Sequence, residues 1–148
     1  MKKEEKEFLV IKKSDLVPKF DSMARCIGRI ESKIPFGLQQ LEQDYDLQDI
    51  LTTNVSRLIQ LSVDIGTMII SRSNEPFPGD MTSVFSVLAK LGWISDEISK
   101  KMKKSVGLRN IMIHQYDQIN WKIVHEVTHE HIVDIKNFVK QINSKIEA

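Results

Sequence analysis

The fold is decided by a largely apolar stretch near the C-terminal end of the chain, Gly107-Leu108-Arg109-Asn110-Ile111-Met112-Ile113-His114-Gln115-Tyr116. Successive residues of a helix turn by about 100°, so the four large apolar side chains of this stretch point in different directions. A helical segment that is apolar on all sides is buried, either in a core or in an interface. The stretch also carries a guanidinium, an amide and an imidazole, and a buried guanidinium is costly unless it is paired. We therefore expect these polar groups to have partners or a function.

Helical geometry places the polar side chains of the stretch relative to one another. Asn110 and His114 are four residues apart and share one face. Arg109 lies about 140° from His114, and its long stem can swing towards that face, while Tyr116 returns to the Arg109 side. An arginine can hold a phosphate bidentately, and a histidine can exchange a proton near neutral pH. Such a set suits cleavage of a phosphodiester without a metal; the alternative is that these are surface or capping residues.

Length and composition exclude several classes of protein. A chain of 148 residues with 41% hydrophobic and 28% charged residues has the size and composition of one globular domain. Its net charge of +1 gives no overall basic field of the kind that general nucleic-acid binders have. The single cysteine, Cys26, excludes an internal disulfide and a zinc site built from several cysteines. No apolar run reaches the roughly 20 residues of a membrane span, and residues 1–7 do not resemble the start of a signal peptide. We therefore expect a cytoplasmic protein that does not engage a membrane.

Hydrophobic periodicity predicts an all-α fold. Helices are expected over about residues 15–33, 46–72, 80–91, from 95 through the opening stretch, and 120–146, with a kink or loop over residues 35–45. Asp80, Ser95 and Asn120 are placed to cap the last three helices. We predict an up-down bundle of about five helices, in which residues 1–14 form a flexible or partly helical arm and residues 15–148 form a single domain.

A run of lysines precedes the opening stretch on the same helix. It consists of Lys100, Lys101, Lys103 and Lys104. Such runs usually form a solvated face. Because these lysines lie one to three turns before Arg109, they are also candidates for guiding an RNA backbone towards it.

The last helix contains a pattern typical of zinc proteases, His125-Glu126-Val127-Thr128-His129. In those enzymes the two histidines bind zinc and the glutamate activates water. Here the chain offers no suitable third ligand downstream and no convincing strand to align a peptide, so we do not favour a metal site. The geometry predicts that His125 and His129 face solvent, well away from the apolar stripe of the helix. His131 falls on that stripe, and we interpret it as a core histidine in preference to a neighbour of the cleft.

The spacing Arg109-x4-His114-x-Tyr116, together with its flanks, resembles the motif of the HEPN toxins of the HepT-like family. The resemblance covers roughly residues 15–145. It implies an HEPN-like helical bundle that is a homodimer, with two motifs meeting at the subunit interface, and a metal-independent endoribonuclease activity without a cofactor. In that activity His114 would act as general base or acid, Arg109 would stabilise the phosphate, and Asn110 would orient one of these groups.

The resemblance also implies a regulatory partner. The chain would be the toxin of a type II toxin–antitoxin system, and its partner would be a minimal nucleotidyltransferase (MNT) acting as antitoxin. Tyr116 would accept AMP from that partner, and Asp64 would support Arg109. The alternative is a non-catalytic helical module that binds a nucleotidyltransferase or a nucleotide, in which Arg109 and His114 only pair across a dimer interface.

Overall fold

The computed structural model describes residues 10–146, and the regular elements of this range are helices. They are α1 (Lys13–Glu31), α2 (Leu38–Gln43), α3 (Tyr45–Ser71), α4 (Met81–Lys90), α5 (Asp96–His114), α6 (Trp121–Glu126) and α7 (Ile132–Lys145). A 3-10 turn, Tyr116–Gln118, follows α5, and a π turn, Val127–His131, joins α6 to α7. The predicted all-α bundle is confirmed. Among the described helices, none is both long and apolar enough to cross a membrane.

Helix α3 is the centre of the bundle and packs against α1, α4 and α5. Its contact with α4 is close at Gly66, where a Cβ atom would collide with Cγ1 of Val84 and lie 3.0 Å from Cδ1 of Leu88. On a neighbouring face of α4, the rings of Phe85 and Phe138 on α7 meet edge to face at 5.7 Å. Helix α5, which carries the motif, packs against both α3 and α4, and Oγ of Ser99 on α5 donates to Phe85 O at 3.0 Å.

The predicted helix caps are confirmed by hydrogen bonds. Asp80 accepts from Ser83 N at 2.8 Å, Ser95 accepts from Ile98 N at 3.2 Å, and Asn120 accepts from Lys122 N at 3.0 Å. These side chains satisfy backbone donors that the first turn of a helix leaves unpaired.

Two parts of the chain differ from the sequence prediction. The expected loop over residues 35–45 contains the short helix α2. The last helix is interrupted by the π turn, which holds one residue more than an α turn and so moves the buried face forward by one position. Ile132 therefore takes the core position, and the interpretation of His131 as a core histidine is wrong, because its side chain is exposed.

The start of the described chain is packed against the bundle. Ile11 is buried in the core, and Asp15 in the first turn of α1 forms an ion pair of 2.8 Å with Arg72 at the end of α3. Residues 1–9, which make up most of the predicted arm, lie outside the described residues.

Candidate active site

Arg109 lies on the last two turns of α5 and is half-buried. Its Nη1 donates to Oδ1 of Asn110 at 3.1 Å, so the two motif residues are in contact. The Nε of Arg109 is buried and has no hydrogen-bond partner among residues 10–146. Because a buried donor without a partner carries a desolvation cost, this guanidinium is suited to an anionic group from outside the protomer.

His114 is the last residue of α5 and is exposed. Within residues 10–146 its ring makes no hydrogen bond, ion pair or ring contact, so both nitrogens are available for proton transfer. The C-terminal end of a helix favours a positive charge, which suits an imidazole that becomes protonated during a reaction.

Tyr116 opens the 3-10 turn that follows α5. Its hydroxyl donates to Oδ1 of Asp49 on α3 at 3.1 Å, and its ring packs edge-on against Trp121 at 6.2 Å. Burial, and then the hydrogen bond to Asp49, raise the pKa of Tyr116 above the ordinary tyrosine value. Sequence reasoning missed Asp49, because it is 67 positions away and no pattern marks it.

The expected burial of the opening stretch holds only in part within one protomer. Met112 is buried and its sulfur contacts Oγ of Ser56 at 3.5 Å, which ties the end of α5 to α3. Ile111 and Ile113 are 38% and 47% exposed. The protomer therefore presents apolar side chains next to the motif, as an interface would require.

One lysine of the run is held by ion pairs, and the other three form no ion pair within residues 10–146. Lys101 bridges Asp134 at 3.2 Å and Glu97 at 3.3 Å, and the hydrogen bonds to these carboxylates raise the pKa of Lys101. Lys100 and Lys104 are exposed, and Lys103 is half-buried. By helical geometry Lys103 lies within about 20° of the His114 face. Lys103 is therefore the lysine of the run that lies nearest in direction to His114 around the helix.

Asp64 is engaged elsewhere in the protomer. Its carboxylate accepts from Nε2 of Gln60 at 2.9 Å and lies 3.5 Å from Nζ of Lys19. Among residues 10–146, neither a hydrogen bond nor an ion pair joins Asp64 to Arg109. Within this part of the chain, the partners of Asp64 are therefore Gln60 and Lys19.

The two histidines of the protease-like pattern do not face solvent as predicted. They pack on the turn before α2, where Nε2 of His125 donates to Phe36 O at 2.9 Å and Phe36 N donates to Nε2 of His129 at 3.4 Å. Their rings stack at 4.1 Å. Since Nε2 of His129 accepts, its Nδ1 carries the proton and donates to His125 O at 2.9 Å. Both rings contact Phe36, His125 from the end of α6 and His129 from the π turn that begins at Val127.

This arrangement gives the pattern a structural role. Both Nε2 atoms, which zinc would use, are already bonded to the backbone of Phe36. In the described part of the chain, no group of three His, Cys, Asp or Glu side chains is suitably placed to hold a metal ion.

Comparisons with known proteins point to one family. A model of the family described as Ribonuclease HepT-like matches residues 23–142. The mRNA nuclease HepT of Shewanella oneidensis is 32% identical over 130 residues, which are 88% of this chain and 97% of that protein. The tRNA nuclease HepT of Aphanizomenon flos-aquae is 30% identical over 98 residues, which are 66% of this chain and 67% of that protein.

A solved structure agrees with these sequence matches. The fold is similar to that of a tri-AMPylated Shewanella oneidensis HEPN toxin in complex with an MNT antitoxin, with a TM-score of 0.82 and 32% identity, over 88% of this chain and 97% of that toxin. The exposed histidine and the half-buried arginine on the end of α5 are the kind of groups that phosphodiester cleavage needs. The chain therefore belongs to the HepT-like family of HEPN ribonucleases, and its enzyme class is that of an endoribonuclease.

Proposed function

We propose that this protein is the toxin of a toxin–antitoxin pair and cleaves RNA at a composite site, in which Arg109 and His114 of two protomers meet across a homodimer interface. The single observation that carries the proposal is the state of these two side chains. The Nε of Arg109 is a buried donor without a partner in residues 10–146, and His114 has both ring nitrogens free of partners in the same range. Both conditions fit groups that await a substrate.

The chemistry follows from the two side chains. His114 takes the proton of a ribose 2′-hydroxyl, whose oxygen attacks the adjacent phosphorus while the 5′-oxygen leaves and is protonated by an imidazolium. The guanidinium of Arg109 neutralises the charge that develops on the phosphoryl oxygens, and Asn110 holds the guanidinium through its Oδ1. The products are a 2′,3′-cyclic phosphate end and a 5′-hydroxyl end. A DNA strand lacks the attacking hydroxyl and is not cleaved.

The surroundings of the motif support the dimer and the substrate. Ile111 and Ile113 leave apolar surface beside the motif, which a second protomer would cover. Lys100, Lys103 and Lys104 would attract the phosphate backbone, while Lys101 is held by its two carboxylates. Asp64 receives no role, because its partners are Gln60 and Lys19.

The proposed partner is a minimal nucleotidyltransferase that acts as antitoxin by transferring AMP to Tyr116. The tri-AMPylated Shewanella toxin in complex with an MNT antitoxin supports this proposal. Tyr116 is 44% exposed and follows His114 by two residues, so an added phosphate and adenosine would block RNA sterically and by like-charge repulsion.

The test is cleavage of labelled RNA by purified protein in excess chelator. The wild-type products should carry 2′,3′-cyclic phosphate ends, and Arg109→Ala and His114→Ala should each lower the rate by about 10²–10⁴-fold. His131→Ala is the matched control. His131 is also exposed, but it lies on the π turn, where its ring is paired with Asp134 of α7, and it is not part of the proposed site. Wild-type cleavage by both motif variants would overturn the assigned roles, and loss of wild-type activity in chelator would overturn the metal-independent mechanism.

A further inference from the structure

The hydroxyl of Tyr116 has one hydrogen-bond acceptor that the proposed function does not use. Oδ1 of Asp49 accepts from it at 3.1 Å, across 67 positions of sequence. Asp49 lies on the second turn of α3 and is exposed. Within residues 10–146 its carboxylate makes no ion pair, and the hydroxyl of Tyr116 is its hydrogen-bond donor in that range.

The contact matters because a phenol attacks phosphorus only as it loses its proton. Burial and the neighbouring carboxylate raise the pKa of Tyr116, so the phenolate is scarce at neutral pH. A base in contact with the hydroxyl removes this obstacle, since the proton moves as the bond to phosphorus forms.

Resting on the nucleotidylation of Tyr116 proposed above, we propose that Asp49 is the catalytic base of that modification, supplied by the toxin itself. The co-reactant is a nucleoside triphosphate held by the nucleotidyltransferase. As the bond between Tyr116 Oη and the α-phosphorus forms, the bond to the bridging oxygen breaks and pyrophosphate leaves with the electron pair. The phenolic proton passes to the carboxylate of Asp49 and then to solvent, so the charges balance.

The test is the rate of modification by the cognate nucleotidyltransferase with Mg-ATP, followed by intact mass. Asp49→Asn keeps an oxygen acceptor but removes the base, and it should lower the rate by about 10²-fold or more. Asp49→Glu keeps a carboxylate and should retain more of the rate than Asp49→Asn. Asp46→Asn is the matched control, because Asp46 is an exposed acid in the first turn of the same helix.

The pH profile separates a base from a residue that only shapes the turn. Between pH 6 and 8 the residual rate of Asp49→Asn should rise about tenfold per pH unit, because it depends on phenolate, whereas the wild-type rate should change little. A wild-type rate in Asp49→Asn, or a lowered rate with the wild-type profile, would overturn the assignment. An unmodified wild type, or continued modification of Tyr116→Phe, would instead overturn the acceptor role of Tyr116 and the role of Asp49 with it.

Discussion

The end of α5 and the π turn after α6 both carry histidines, and the two regions use the imidazole in opposite ways. At the junction of α6 and the π turn, His125 and His129 are bonded to the backbone of Phe36 and stacked on each other. At the end of α5, His114 is exposed and without a partner in residues 10–146. The sequence pattern around His125 and His129 is a well-known catalytic one, yet both Nε2 atoms are bonded to the backbone of Phe36. The difference shows that a histidine is available for chemistry when the fold leaves its nitrogens unbonded.

The largest expected effect is on activity at the end of α5. His114→Asn keeps a polar side chain but cannot exchange a proton near neutral pH, so RNA cleavage should fall by about 10²–10⁴-fold. Because His114 is exposed and makes no hydrogen bond, ion pair or ring contact within residues 10–146, Tm should stay within about 2 °C of the wild-type value. The measurement pairs initial rates on labelled RNA with a thermal melt. A large fall in Tm would show that His114 is structural and would remove the contrast with His129.

A smaller loss of activity is expected for Arg109→Lys. A lysine keeps the positive charge but loses the planar fork that binds a phosphate bidentately, so the rate should fall by about 10²-fold. It also loses the hydrogen bond to Asn110 in its observed geometry. Rates and KM measured on one RNA would show whether the loss lies in kcat, as transition-state stabilisation requires. A lysine variant with the wild-type kcat would mean that charge alone suffices.

The opposite result is expected for the π turn. His129→Ala leaves the N–H of buried Phe36 without its acceptor, which should lower the free energy of unfolding by about 1–3 kcal/mol. The rate per folded molecule should be unchanged, because His129 is not part of the proposed site. Urea denaturation measures the loss, and His131→Ala, an exposed histidine on the same turn, is the control. Equal stability of the two variants would remove the structural role assigned to His129.

Some features of the fold and of the site could be predicted from the sequence. The caps Asp80, Ser95 and Asn120 and the motif on α5 depend on neighbours within a few residues, so local rules identify them. The π turn adds one residue to a single helical turn, and an analysis that assumes a constant 3.6-residue period cannot detect it. This extra residue is why His131 is exposed and not in the core.

Contacts between residues distant in the sequence could not be predicted at all. His129 meets Phe36 across 93 positions and Tyr116 meets Asp49 across 67. Such contacts are set by how helices pack, and no spacing within one helix reports them. The acceptor of the Tyr116 proton and the packing of the histidine pair are therefore findings of the structure.

The smallest effect concerns the ionisation of Tyr116. Burial and Asp49 raise the pKa of Tyr116 in the folded state, so folding favours the neutral phenol. The contribution of this group to the free energy of unfolding is therefore present at neutral pH and is lost as the pH rises through the raised pKa. In Tyr45→Phe, Tyr116 is the only tyrosine, so its phenolate absorbance can be titrated alone. Adding Asp49→Asn removes a carboxylate that repels the phenolate, and the pKa of Tyr116 should fall but stay above the ordinary value, because burial remains. Adding Asp46→Asn instead should leave the titration curve in place. If Asp49→Asn also leaves it in place, the carboxylate is not in contact with the phenol, and Asp49 is too far from the hydroxyl to accept its proton.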